Sequence, residues 1–167
     1  MADDVKAEDR VGPVLAGAGL RIGVAASRFN DHITLRLLEG ARRGLAQADV
    51  ASTDIVEVWV PGAFELPLAA NGLAGSGRVD AIVCVGCVIR GETAHFEHVA
   101  TQCASGIQQV SITTGVPVLF GVLTVETLEQ ALARSEPVGG HNVGEEAALG
   151  AVEMARLLEA LRPQGDS

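Results

Sequence analysis

Residues 80–98 read DAIVCVGCVIRGETAHFEH, and three kinds of local structure follow one another in them. Asp80–Val88 is an apolar run of the kind found in a strand covered on both faces. Arg90-Gly91-Glu92-Thr93 is a polar turn. From His95 a helical period sets in: Phe96, Val99, Ala100, Cys103, Ile107 and Val110 fall on one stripe at about 100° per residue. His95 lies on the flank of that stripe and His98 nearly opposite it, so the two histidines are not equivalent. The first N–H groups of a helix lack internal partners, and its dipole favours negative charge there. A strand, a turn and a helix start in this order therefore suit an anion. The nearby histidine adds a group that can move protons near neutral pH.

The same reading extends outward. Arg21–Ala26, RIGVAA, is a buried-type strand, broken by Ser27-Arg28-Phe29-Asn30. Asn30 or Asp31 can cap the next helix, in which Ile33, Leu37, Leu38, Ala41, Leu45 and Ala48 share a face. Ile55–Val60, IVEVWV, is another strand, and Pro61-Gly62-Ala63 turns the chain into a helix from Phe64-Glu65 towards Leu73. Downstream, Val116–Leu123 reads as the fourth strand, and Thr124 can cap a short helix towards Arg134. A Gly-rich connection, 137–144, leads to a last helix from Glu145 towards Leu161. That helix carries Ala and Leu around much of its circumference, which predicts contacts beyond its own sheet. The order β-α-β-α-β-α-β-α-α implies a parallel sheet with helices on both faces. Ligands of such sheets bind beyond the carboxyl ends of the strands, so the loops Ser27–Asn30, Pro61–Glu65, Arg90–His95 and Gly121–Thr124 are expected at one edge.

Length and composition bound the rest. At 167 residues the chain has the size of one domain, and 48% hydrophobic residues with only 3% aromatics describe a core of small side chains. A net charge of −9 argues against nucleic acid as a partner, because phosphate backbones need clustered Lys and Arg. The apolar runs fall far short of the roughly 20 residues that cross a bilayer, so no membrane is expected. The acidic start, MADDVKAEDR, lacks an apolar signal core, and the expected location is cytoplasmic. Three cysteines, an odd number, fit a reducing compartment. Cys84 and Cys87 are three apart on a strand and so point to opposite faces, which prevents a shared metal or a simple bridge.

Several residues carry two readings. Phe29 either anchors its loop or stacks on a planar ligand. Glu65, in the first turn of a helix, either answers the dipole or accepts hydrogen bonds from a polyol. Gly91, the Thr93 hydroxyl and the neighbouring N–H groups form either a plain turn or a phosphate cradle. His95 is either a surface histidine or a proton carrier beside that cradle. His95, His98 and His141 could ligate a metal, but zinc helices use H-E-x-x-H, which HFEH lacks, so no metal is expected.

In combination the motifs are more specific. ASRFN (26–30), PGAFELP (61–67), GCVIRGETAHFEHV (86–99), FGVLT (120–124) and GEEAALGAVEM (144–154) follow the order and spacing of the lumazine synthase family, and the chain from Arg21 to Leu161 resembles it. The fold this implies is a flavodoxin-like three-layer αβα sandwich around a four-stranded parallel sheet. A single domain would span 20–162, between a flexible tail at 1–19 and a short one at 163–167. The activity it implies joins 5-amino-6-(D-ribitylamino)uracil to 3,4-dihydroxy-2-butanone 4-phosphate, the penultimate step of riboflavin biosynthesis, with release of phosphate and water and with no cofactor.

By the same resemblance, Phe29 stacks on the pyrimidine, Ala63, Phe64 and Glu65 hold the ribityl chain, Val88 and Ile89 line the pocket, and Phe120 with Gly121 contacts the pyrimidine. Gly91, Glu92 and Thr93 form the phosphate loop. His95 is the catalytic histidine, Arg134 the arginine that pairs with the phosphate, and Glu146 an acidic partner at the start of the last helix. The family assembles as pentamers or larger shells with sites between subunits, and riboflavin synthase is a further partner it suggests. One segment departs: SEPVGGHNVGE (135–145) is a residue longer than its counterpart, and Val143 stands where a lysine is common. Two other functions fit the scaffold: an archaeal-type riboflavin synthase, and a carrier that binds a ribityllumazine or flavin without turnover.

Overall fold

A computed structural model describes residues 14–163 and residue 165. Its central sheet is built from β1 (Ile22–Ser27), β2 (Ile55–Val60), β3 (Ala81–Ile89) and β4 (Val118–Val125), all parallel, in the order β2-β1-β3-β4. Among the described residues the α-helices are α1 (Asp31–Gln47), α2 (Leu66–Gly75), α3 (His95–Thr114), α4 (Leu128–Leu132) and α5 (Val143–Leu161). The order is that of a flavodoxin-like doubly wound sheet, and α1 with α5 covers one face while α2 with α3 covers the other.

β3 is central and buried to its eighth residue, which is why its sequence runs apolar without alternation. Its side chains divide by parity. Val83, Val85 and Cys87 join Leu37, Leu38 and Val152 on the α1/α5 side. Ile82, Cys84 and Val88 join Leu66, Cys103 and Ile107 on the α2/α3 side. Cys84 and Cys87 thus sit in separate half-cores, as their spacing predicts. Burial pushes the Cys87 thiol up to about 11 and the Cys103 thiol up to about 12, and raises Cys84 further. None of the three is a thiolate nucleophile near neutrality.

Most deviations from the sequence reading lie at element ends. β4 extends to Val125, which is buried, and Thr124 pairs with Val88 inside the sheet rather than capping a helix. The cap of α4 is Thr127, whose Oγ1 accepts from Gln130 N at 3.2 Å. α4 stops at Leu132, because the chain beyond turns into a bridge between Ser135 and Asn142. Asn30 stands before α1 in the left-handed region, φ 59°, and makes no capping bond. α2 is preceded by a 3-10 turn, Ala63–Glu65. α5 starts two residues early, capped by Asn142.

α5 lies directly on α1. A Cβ at Gly144 would overlap the Leu37 carbonyl, and one at Gly40 would overlap the Asn142 side chain. Buried Asn142 donates to Arg36 O and Glu136 O, both at 3.0 Å, and accepts from Glu145 N at 3.1 Å. Most of the expected 1–19 tail lies outside the described residues. Its last part runs over this helix pair: Gly17 N donates to Ala48 O at 2.6 Å, and Arg156 donates to Ala16 O and Ala18 O. Of the short tail at 163–167, only residues 163 and 165 are described.

Candidate active site

The carboxyl ends of the strands are tied to one another through main chain. Beyond β1, Arg28 N donates to Val60 O at 2.9 Å and Phe29 N to Pro61 O at 3.1 Å, so the loop after β1 is strapped to the loop after β2. Asn30 Nδ2 donates to Cys87 O at 2.9 Å, reaching the end of β3. Arg90 N donates to Val125 O at 2.9 Å, joining the ends of β3 and β4. The loops after β1, β2 and β3 therefore form one surface, as expected.

On that surface Phe29 is 73% exposed and Phe64 57% exposed. The chain has only four phenylalanines, and exposing two rings on one edge is costly unless a ligand covers them. Ala63 is buried beneath this surface and Glu65 is half-buried at the end of the 3-10 turn. Val88 faces the α2/α3 core while Ile89 packs against the other half-core. What the two can offer a ligand together is the strand end itself. Gly91, Glu92 and Thr93 are all exposed, and Thr93 Oγ1 accepts from His95 N at 3.4 Å, marking the start of α3. His95 is exposed as the first helical residue, where backbone N–H groups lack intrahelical acceptors.

The residue that the sequence reading passed over is Arg90. Its Nη1 donates to Glu97 in the first turn of α3 and its Nε to Glu126 just after β4, each at 2.6 Å. The guanidinium carbon lies 4.5 Å from the centre of the Phe96 ring. The hydrogen bonds to Glu97 and Glu126 hold Arg90 above its ordinary range. No spacing rule pairs residues 90 and 126; the register Ile89↔Val125 does.

The remaining expected members come from later elements. Gly121–Thr124 is strand, not loop, and Phe120 pairs with Cys84 in mid-sheet, about 16 Å along β4 from its carboxyl end. The Phe120 ring is 39% exposed on this edge strand, and Gly121 is buried opposite Val85. Arg134 follows α4, exposed, with Nη1 donating to Gln130 O at 3.0 Å. Its carbonyl accepts from Val143 N at 2.9 Å. Glu146 is exposed in the first turn of α5 and pairs with His141 at 3.0 Å. One chain thus presents a ring-and-turn surface at the sheet edge, with Phe120 in mid-strand on β4, Arg134 just after α4 and Glu146 in the first turn of α5.

Fold and edge define a class, the doubly wound α/β proteins whose ligands sit beyond the carboxyl ends of a parallel sheet. Residues 19–159 match the family model of 6,7-dimethyl-8-ribityllumazine synthase, and the chain belongs to that family.

Proposed function

We propose that the chain catalyses the family reaction in full, condensing 5-amino-6-(D-ribitylamino)uracil with 3,4-dihydroxy-2-butanone 4-phosphate. The observation that carries this reading is the shared edge, where the exposed Phe29 ring, the Ala63–Glu65 turn and the Gly91–His95 turn are strapped together. A flat pyrimidine fits the ring, a polyol fits the carboxylate of Glu65, and a phosphate fits a helix start with a threonine hydroxyl.

The chemistry asks little of the protein beyond placement and proton transfer. The 5-amino group attacks the ketone, and loss of water leaves a Schiff base. A proton leaves the neighbouring carbon and phosphate departs with its bonding pair. Loss of phosphate leaves an enol, which takes a proton on its terminal carbon and becomes a ketone; the ribitylamino nitrogen attacks that new carbonyl and closes the ring with loss of a second water. His95 carries these protons. Arg134 and the Gly91–Thr93 turn stabilise the departing anion. Holding two substrates in register supplies much of the rate. Phe120 stands in mid-strand on the edge strand β4, partly exposed and away from the strand ends, which supports a site completed by a second copy in a pentamer or larger assembly.

Purified protein incubated with both substrates should develop lumazine absorbance. Arg134→Ala should lower kcat/KM by about a hundredfold or more, and His95→Ala by about tenfold to a hundredfold, since placement survives. Absence of product from the unaltered protein would overturn the reading.

A further inference from the structure

The structure assigns Arg90 a positioning role: without meeting the phosphate itself, it holds the anion-binding turn to the end of β4 and offsets one of the two negative charges of the carboxylates that an arriving dianion would otherwise meet. This inference rests on the proposed use of the Gly91–Thr93 turn for phosphate.

Gly91–Thr93 hangs between the end of β3 and the start of α3, and its residues are exposed. Its own attachments are few, the bond from His95 N to Thr93 Oγ1 being long at 3.4 Å. Arg90 spans this gap. Its backbone N binds Val125 O, its Nε binds Glu126, its Nη1 binds Glu97 within the first turn of α3, and its guanidinium carbon lies over the Phe96 ring. The two carboxylates enter the guanidinium from different elements, so rotation of α3 against β4 would break at least one short charge-assisted bond. The chain of bonds continues: Glu126 N donates to Gln130 Oε1 at 2.8 Å, and Gln130 O accepts from Arg134 Nη1. Arg90 therefore connects the turn proposed to receive the phosphate with α4, whose Gln130 carbonyl accepts from the proposed phosphate-binding arginine just after the helix.

Charge leads to the same conclusion. Glu92, Glu97 and Glu126 all lie within or beside the turn. Three carboxylates around a phosphate site are repulsive. With Arg90 paired to Glu97 and Glu126, the charge of that pair falls from −2 to −1, which weakens the repulsion that opposes the attraction of the first N–H groups of α3 for the anion.

Calorimetric titration with inorganic phosphate reads this without turnover, and steady-state kinetics reads it with turnover. Arg90→Ala should weaken phosphate binding and raise KM for the butanone phosphate by about tenfold, with KM for the pyrimidine changed less than about twofold. Arg90→Lys, which keeps the charge but not the two-sided grip, should fall between. Adding Glu97→Gln and Glu126→Gln to Arg90→Ala should restore most of the phosphate affinity but not kcat, because repulsion is removed while alignment is not. Unchanged phosphate affinity in both single variants would overturn the proposal, as would an equal rise in both KM values. Should Arg90→Ala fail to fold, Arg90→Lys and the triple variant decide by the same criteria. If the unaltered protein binds phosphate but forms no lumazine, the assigned reaction has failed while the phosphate arm still judges Arg90. If it binds no phosphate, the role of Arg90 fails with it.

Discussion

Phe29 shows most directly how a single residue departs from what packing alone would choose. A phenyl ring 73% exposed contributes little to stability, since the hydrophobic gain scales with area removed from water. Phe29→Ala should therefore leave the unfolding free energy, measured with urea, within about 0.5 kcal/mol of the unaltered value. It should raise KM for the pyrimidine by about tenfold to a hundredfold through lost stacking, and Phe29→Tyr should recover most of it. A clear loss of stability in place of the KM effect would mean that the ring anchors its loop instead. The residue types at this edge were legible in the sequence because each breaks a pattern: a ring outside any apolar register, a glycine after a strand, a histidine on the flank of a stripe. Arg90 was not legible, since it breaks none. An arginine at the end of a strand is ordinary until the register sets Glu126 beside it.

At the scale of elements, periodicity identified all four strands and the five α-helices in order, and erred where two chemically equal signals compete. Thr124 and Thr127 can both cap a helix; what decides is that Val125 is buried, so the strand runs through the first threonine to reach the second. The placing of Gly121–Thr124 among the edge loops failed for the same reason. The close seam of α1 and α5 was also hidden, because a glycine in a helical pattern reads only as a weak helix former. Intrinsic propensity favours alanine over glycine by about 1 kcal/mol in a helix. At Gly72 in α2, a Cβ would meet no other atom within 4 Å, so Gly72→Ala should raise stability by up to that amount. At Gly144, where the added carbon overlaps Leu37 O, Gly144→Ala should instead destabilise by about 1–3 kcal/mol, because α1 and α5 must part. Chemical denaturation of the two variants checks the opposite signs.

For the whole molecule, the fold class followed from the order of elements and the buried character of the strands. The strand order itself did not, because periodicity carries no information on which strand lies beside which. The place of Phe120 in mid-strand, away from the strand ends, is likewise a property of the folded chain. If Phe29 of one copy and Arg134 of the next serve one site, two defective proteins can repair each other. Phe29→Ala and Arg134→Ala chains, unfolded together and reassembled in equal amounts, should regain about a quarter of the unaltered activity by random assortment around a ring. Chains reassembled separately should not, and a mixture no better than its components would place both residues in one chain's site.

The straps from Arg28 to Val60, from Phe29 to Pro61 and from Arg90 to Val125 run from main-chain N–H to main-chain carbonyl. They do not depend on which side chains stand at 29, 63, 64 or 65. The rim is in that sense a reusable mount. Its rings and carboxylate can be exchanged for others while the mount keeps its shape, which makes this edge a suitable place to redesign which ligands the chain accepts.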